Sequence, residues 1–303
     1  MRSLPRPLDP ARDRAALLEL WDTCLGVEWP AHADALMAAT PLGYVYETPE
    51  RLIGAVAFDD TGGISYVIVD PKWRRKGVGR ALHDAALAHP QAAGAQWRLG
   101  GRTSIWPGVP TNLSDAAQFL TKLGWVLGTT VVDMTRPTEG FSIAPEWTAR
   151  ATAAGVKIEW AKKGDADKVI EYESREHAMW VPYFRSRFPD EPESVLLARD
   201  RKGHIVGALL IDMPPNHRPR WSRILGEDAA EIGCVGVAAS VNGQGIGTAL
   251  VAEATRFVKE KGAVTAFLAW TSRITFYGRL GYEVWREYRY GTREVASAPP
   301  PAS

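Results

Sequence analysis

The chain has 303 residues, 46% hydrophobic and 23% charged, with a net charge of +1. That length suits two domains, each large enough for its own core. Near-neutral charge gives no whole-protein electrostatic reason to expect nucleic acid or a membrane surface as partner. The cysteines, Cys24 and Cys234, make no disulfide framework and suit a reducing compartment. The opening MRSLPRPLDPARDR lacks the apolar core of a signal peptide. No apolar run approaches the ~20 residues of a membrane span, so cytoplasm is the expected location.

In chain order, residues 1–10 read as a loose lead, and Asp13 to Leu25 carries apolar residues near helical spacing: Ala16, Leu17, Leu20, Trp21. Trp29-Pro30 breaks that pattern, and Ala31 to Ala39 resumes as a short helix. Gly43–Tyr46, Leu52–Phe58 and Ile64–Val69 read as strands. A helix from Val78 carries Leu82, Ala85 and Ala86 on one face and stops at Pro90. A strand at Gln96–Leu99 follows. Ser104 to Pro110, SIWPGVP, reads as a Pro/Gly loop and a surface excursion, with a substrate lid as the alternative. A helix from Asp115 and a strand around Thr130–Met134 complete the first half.

Arg136 to Gly155 is rich in Pro, Thr, Ala and Gly without sustained periodicity, and is expected to be a linker. The expected domains are therefore residues 1–140 and 156–295, with 296–303, ASAPPPAS, as a disordered tail. In the second half, Val156–Trp160 reads as a strand and Asp165–Trp180 as a helix. Val195–Ala198 and Ile205–Ile211 form a hairpin, and Met213–Arg220 is a Pro-rich loop. A strand at Glu231–Val237 leads into a helix striped by Leu250, Ala254, Phe257 and Val258 that ends at Gly262, and Val264–Ala269 is the next strand.

The stretch IGCVGVAASVNGQGIGTA, Ile232 to Ala249, runs from strand through a Gly-rich turn to a helix. The first N–H groups of a helix have no intrahelical partner, and the dipole favours negative charge there. Glycine lets a diphosphate approach without a Cβ in the way. YVIVDPKWRRKGVGRAL, Tyr66 to Leu82, repeats the pattern: Val69 aligns with Val237, Arg74 with Asn242, Gly77 with Gly245 and Gly79 with Gly247 at one constant offset. A repeat that long indicates duplicated domains rather than a solenoid.

Both copies resemble the GNAT superfamily of acyl-CoA-dependent N-acetyltransferases, whose signature is V-x-P-x-x-(Q/R)-x-x-G-x-(G/A). The first copy matches throughout, at Val69, Pro71, Arg74, Gly77 and Gly79; the second has Ala239 and Asn242 for the Pro and Arg. The resemblance implies an α/β fold in tandem, mixed α+β sheets with helices on both faces, and acetyl-CoA as acyl donor. It implies two carrier-binding stretches: Val67, Ile68, Val69, Arg74, Arg75, Lys76, Gly77, Val78, Gly79 and Arg80; and Val235, Gly236, Val237, Asn242, Gly243, Gln244, Gly245, Ile246, Gly247 and Thr248.

Acetyl transfer from a thioester to an amine needs a donor at the carbonyl oxygen, a base for the amine and an acid for the departing thiolate. In GNAT enzymes the acid is often a Tyr in a context like F-Y-x-x-x-G-(F/Y). The second copy has it in Phe276-Tyr277-Gly278-Arg279-Leu280-Gly281-Tyr282, whereas the first has Leu120 in the acid's place. Glu231, before the key strand, resembles the base Glu of histone-type GNAT enzymes; Gly63 stands there in the first copy. His177, Trp180 and Tyr183 lie where the family's acceptor-binding helices sit, with packing or solvated surface as the plainer reading of each.

The first copy offers Arg74, Arg75, Lys76 and Arg80 to phosphates but no acid and no counterpart of Glu231; the second has both beside a neutral loop. The second copy is therefore expected to catalyse, and the first to bind acyl-CoA structurally or to be vestigial. Two copies with a catalytic second one resemble the mycothiol synthase arrangement, which implies a small primary amine as acceptor, such as an amino sugar or mycothiol-precursor-like amine. No metal is expected. The competing reading is a non-catalytic acyl-CoA-binding or regulatory module. A nucleotide-binding enzyme is disfavoured because Thr248 takes the last Gly of G-x-G-x-x-G.

Overall fold

The computed structural model describes residues 4–92, 95–100, 104–188, 190–214 and 221–294. The tail at 296–303 and most of the loop at Met213–Arg220 lie outside the described residues. In chain order the elements are β1 (Arg6–Pro7), α1 (Pro10–Leu25), α2 (Ala33–Ala38), β2 (Leu42–Glu47), β3 (Leu52–Phe58), β4 (Gly63–Val69), α3 (Val78–Leu87), β5 (Trp97–Leu99), β6 (Val109–Pro110), α4 (Ser114–Lys122) and β7 (Val126–Pro137). Then come α5 (Pro145–Ala153), β8 (Lys157–Trp160), α6 (Ala166–Glu176), α7 (Val181–Arg185), β9 (Val195–Arg199), β10 (Ile205–Asp212), α8 (Ser222–Leu225), β11 (Ala229–Val237), α9 (Ile246–Glu260), β12 (Thr265–Thr271), α10 (Ile274–Gly278) and β13 (Glu283–Arg293).

The chain divides into two compact units. The first holds the described residues up to Val131 and from Arg286 onward; the second runs from Val132 to Trp285. Among the described residues no helix is long and apolar enough to cross a membrane.

The first unit is a sheet in the order β1-β2-β3-β4-β5-β13, with β6 pairing β13. Only β4 and β5 are parallel; the other pairs are antiparallel. Alternate side chains of a strand point to opposite faces. In β3, Ile53, Val56 and Phe58 join the core built with Val78, Leu82 and Ala86 of α3, which recur at helical spacing. Gly54 permits that approach, because a Cβ there would sit 2.8 Å from Leu82 Cδ1. The expected loose lead is structured instead. Arg6 pairs with Val45, and its guanidinium joins Asp13 and Glu47. Asp9 caps α1 by accepting from Ala11 N and Arg12 N.

The second unit orders its strands as β7 (from Val132), β12, β11, β10, β9, β8, with β11 and β12 as the parallel pair. Alternation again makes two cores. Leu196 and Ala198 of β9 pack with α9; Val195 and Leu197 pack with Val169 and Tyr172 of α6 and Phe184 of α7. Helices α9 and α6 thus cover opposite faces. The expected linker is also structured. β7 continues to Pro137, and Pro145 starts α5, whose Ala151 is buried in the α9 core. Short apolar residues on one face sufficed to pack that helix where no long periodic run announced it.

Candidate active site

In the second unit the parallel ladder pairs Ala229 with Thr265, Ala230 with Ala266 and Glu231 with Phe267. β11 runs on to Val237 and β12 to Thr271 without further pairing, so the two strands part beyond Glu231. On the other edge of β11, Gly233 pairs with Leu210 and Gly236 with Ala208. Cys234 and Val235 therefore stand opposite Leu209 alone. This is a β-bulge, and Cys234 adopts φ 49°. A bulge takes one residue out of the ladder and leaves its backbone unpaired. That supplies the kind of fixed N–H donor a developing oxyanion requires.

The strand leads into the turn Asn242-Gly243-Gln244-Gly245. Gly243 and Gly245 take φ 81° and 79°, the left-handed region, and Gly245 caps α9 without any side-chain bond to its first N–H groups. Val237 and Phe276 both close on Gly247, at 3.5 and 3.4 Å from where its Cβ would be. Ile246 is buried, so it can serve a ligand only through its backbone. The turn is not electrostatically neutral as its own residues suggested. Arg150 of α5 donates to the Gly243 carbonyl, which brings a guanidinium to the loop. This residue was invisible to sequence reasoning because it sits in the stretch read as linker.

Tyr277 of α10 is 7% exposed and packs in the α9 core, with Phe276 at 4.8 Å and Tyr282 at 6.1 Å between ring centroids. Its hydroxyl makes no hydrogen bond with the described residues. Burial pushes its pKa up to about 12, with Arg273 opposing and the Cys234 thiol adding to the rise. Tyr277 thus stays protonated and lies within electrostatic reach of the bulge. Glu231 is the last paired residue before the strands part and stands opposite Asp212 of β10. Cys234 feels Glu231, Asp212 and Arg187, but burial is the largest cause of its raised pKa.

On the α6 face, the His177 and Trp180 rings lie 4.7 Å apart, tilted by 36°, over Gly236 of β11. A Cβ on Gly236 would lie 2.5 Å from the His177 ring and 2.9 Å from Trp180, so only glycine lets them sit there. Burial lowers the His177 pKa, opposed by the charge of Glu176. Tyr183 is at the surface of α7, 38% exposed. A cavity of about 550 Å³, lined by Asp167, Ile170, Glu171 and Arg185 among others, contains none of these residues and follows the outer stripe of α6.

The first unit repeats the frame and fills it. β4 and β5 pair only at Gly63–Arg98 and Ile64–Leu99, then part. Val69 and Phe119 close on Gly79 at 3.5 and 3.2 Å, as Val237 and Phe276 do on Gly247. Gly77 takes φ 86° and caps α3, Val78 is buried, and Arg74, Arg75, Lys76 and Arg80 are exposed; Arg74 bonds the Val69 carbonyl. The irregularity in β4 falls at Ser65, with no left-handed residue. Tyr66 stands where the second unit has Cys234, with Trp21 edge-on at 5.5 Å. SIWPGVP is not a surface excursion: every residue from Ser104 to Pro110 is buried. Trp106 stacks on Trp21 at 5.3 Å and meets Trp29 edge-on at 5.5 Å. The apolar payload of those rings outweighs the turn-forming tendency of the Pro and Gly beside them.

A parallel strand pair that parts beside a bulge, followed by a glycine-turned, uncapped helix, defines an α/β scaffold for a phosphate-bearing acyl carrier, present twice. The model of the acetyltransferase (GNAT) family matches residues 159–282, and that of the acetyltransferase (GNAT) domain matches residues 41–127. Mycothiol acetyltransferases from Clavibacter sepedonicus and Clavibacter michiganensis subsp. michiganensis (strain NCPPB 382) are 29% and 31% identical, over 71% and 72% of this chain and 67% of each relative. Among solved structures, a GCN5-related glucosamine N-acetyltransferase region of a fungal multi-domain GH3 β-N-acetylglucosaminidase aligns with TM-score 0.89 and 25% identity, over 95% of this chain and 38% of that one. The chain belongs to the GNAT acetyltransferase family and carries two copies of its domain. It is an N-acetyltransferase that uses acetyl-CoA.

Proposed function

We propose that the second unit transfers the acetyl group of acetyl-CoA to a primary amine of a small molecule, and that the first unit does not catalyse. Tyr277 acts as general acid toward the departing thiolate, and Glu231 acts as base through water. The diphosphate rests on the N–H groups from Gly245 to Thr248 with Arg150 beside them, and the thioester carbonyl meets the bulge at Cys234–Val235. His177 and Trp180 form the wall met by the acceptor. An amino sugar or mycothiol-precursor-like amine fits the mycothiol acetyltransferase and glucosamine N-acetyltransferase relatives and the aromatic wall, since such rings present apolar faces.

The observation that carries this reading is Tyr277 itself: buried, protonated, without a hydrogen-bond partner among the described residues, and within electrostatic reach of Cys234 in the bulge. Its counterpart in the first unit, Leu120, cannot donate a proton. The test is thiol release from acetyl-CoA over a panel of amines, with wild type and Tyr277→Phe. Wild type is expected to turn over at least one amine, and Tyr277→Phe to lose roughly 100- to 10,000-fold in kcat. Unchanged turnover across pH would remove Tyr277 from the mechanism, and a pure acyl-CoA binder would release no thiol at all.

A further inference from the structure

Three residues on one stripe of the α6 segment leave four buried polar atoms without a hydrogen-bond partner among the described residues: Tyr172 Oη, both carboxyl oxygens of Glu173, and His177 Nε2. Glu173 is fully buried. Buried polar groups are nearly always paired, and each exception needs a reason, above all a carboxyl. No cation among the described residues supplies one. Arg175 points over the Tyr172 ring at 5.9 Å and pairs with Glu176. Arg187 is taken by Asp212 and Glu191.

The stripe has a definite position on the sheet. Glu176 accepts from Ala239 N just past the end of β11, and His177 covers Gly236. One turn back along α6, Glu173 reaches the bulge, where it acts on the Cys234 thiol more strongly than Glu231, Asp212 or Arg187 does. Cys234 packs with the α6 core, whereas Val235 and Tyr277 pack with the α9 core. The parted strands therefore have the proton donor on one face and an unpaired carboxyl on the other.

We propose that Glu173, with Tyr172 and His177 beside it, is the group that takes the first proton from the acceptor's ammonium on the α6 face of the second unit. This rests on the reading of that unit as the transferase. An alkylammonium must lose one proton before its nitrogen can attack, and a second as the C–N bond forms. The first N–H bond breaks and an O–H bond forms on Glu173. The second proton goes to Glu231 through water. The C–S bond breaks as the thiolate takes a proton from Tyr277, which Glu231 restores, and Glu173 releases its proton to solvent. Two protons leave nitrogen, one ends on sulfur and one in solvent, so the steps balance.

Burial holds the Glu173 carboxyl up to about 8, a value suited to a base working near neutral pH. The groups that face it are Tyr172, Glu176 and His177 from its own segment and Cys234 from β11, with Glu231 and Asp212 farther along the sheet. The carboxyl is neutral below that pH and accepts protons above it. Wild-type kcat/KM for the amine should therefore rise with pH, reach half its limit near pH 8 and level off above that.

The test is the pH profile of thiol release for wild type, Glu173→Gln and Tyr277→Phe, with acetyl-CoA affinity and melting temperature measured alongside. Glu173→Gln is expected to lose roughly 100- to 10,000-fold in kcat/KM, to lose the rising limb, and to keep its acetyl-CoA affinity. It should also melt higher than wild type, by a margin that opens as pH rises above the ordinary Glu value of 4.5 and is complete by about pH 8, because only the wild type must keep a buried carboxyl that ionises more readily when unfolded. Should Glu173→Gln fail to fold, Glu173→Asp keeps the carboxyl and is expected to retain the limb at a reduced rate. A Glu173→Gln enzyme with wild-type rate and limb, or a Glu173→Asp enzyme without the limb, overturns the proposal, while a crippled Tyr277→Phe leaves the transferase reading standing. A wild type that releases no thiol with any amine of the panel overturns both.

Discussion

The two units share a frame and differ in what occupies its opening. In each, a parallel strand pair parts, a left-handed glycine starts the next helix, and a Val and a Phe close on the following glycine. In the second unit the strand that parts carries a bulge at Cys234–Val235, and Tyr277, packed in the α9 core, makes no hydrogen bond with the described residues. In the first, Tyr66 stands at the place of Cys234 and meets Trp21 edge-on, while Trp106 stacks on Trp21 and meets Trp29 edge-on. A duplicated scaffold can thus keep its left-handed glycine turn in both copies while the residues beyond it differ in volume, because the turn depends on a few glycines alone.

The comparison can be broken most severely at the proton donor. Tyr277→Phe is expected to abolish most turnover, whereas Leu120→Met in the first unit should leave kcat within about twofold, since volume-conserving core swaps cost little. Parallel losses in the two variants would mean that both units contribute to chemistry. Next in size is the aromatic plug. Trp106→Ala should destabilise the chain by ~3–5 kcal/mol, read from its urea midpoint, because a large buried ring leaves a cavity. A loss under ~1 kcal/mol would mean the rings are not packed as a core. The smallest effect sharpens the binding half of the contrast. Arg150→Ala should weaken acetyl-CoA binding by roughly two- to fivefold at low salt, and less as salt rises, as suits an exposed charge. Titration calorimetry at two ionic strengths reads this directly, and an unchanged affinity would leave the turn to its backbone alone.

Much of the frame was legible in the chain. Repetition of Val69, Gly77 and Gly79 as Val237, Gly245 and Gly247 placed both strand–turn–helix units, because those positions are set by local backbone demands. What escaped was set by tertiary contact. SIWPGVP reads as a loop by its Pro and Gly, yet Ile105 and Trp106 find a core elsewhere in the unit. Arg150 lies in a stretch whose short side chains carry little periodic signal, and it matters only because α5 packs beside α9. Glu173, four residues after Val169, looks like a solvated helical Glu; its burial follows from the way α6 lies across the sheet. Tyr277 and Glu231 are singled out by resemblance to family motifs and stay proposals, whereas Glu173 has no motif to betray it.

The most direct measurement is a crystal structure with acetyl-CoA and an unreactive acceptor analogue. The account expects the thioester carbonyl at the Cys234–Val235 bulge, the sulfur facing the Tyr277 hydroxyl, and the rings of Trp21 and Trp106 undisturbed. An acetyl group seated between β4 and β5 of the first unit, with Trp106 displaced and Tyr277 sealed in hydrocarbon, would contradict it.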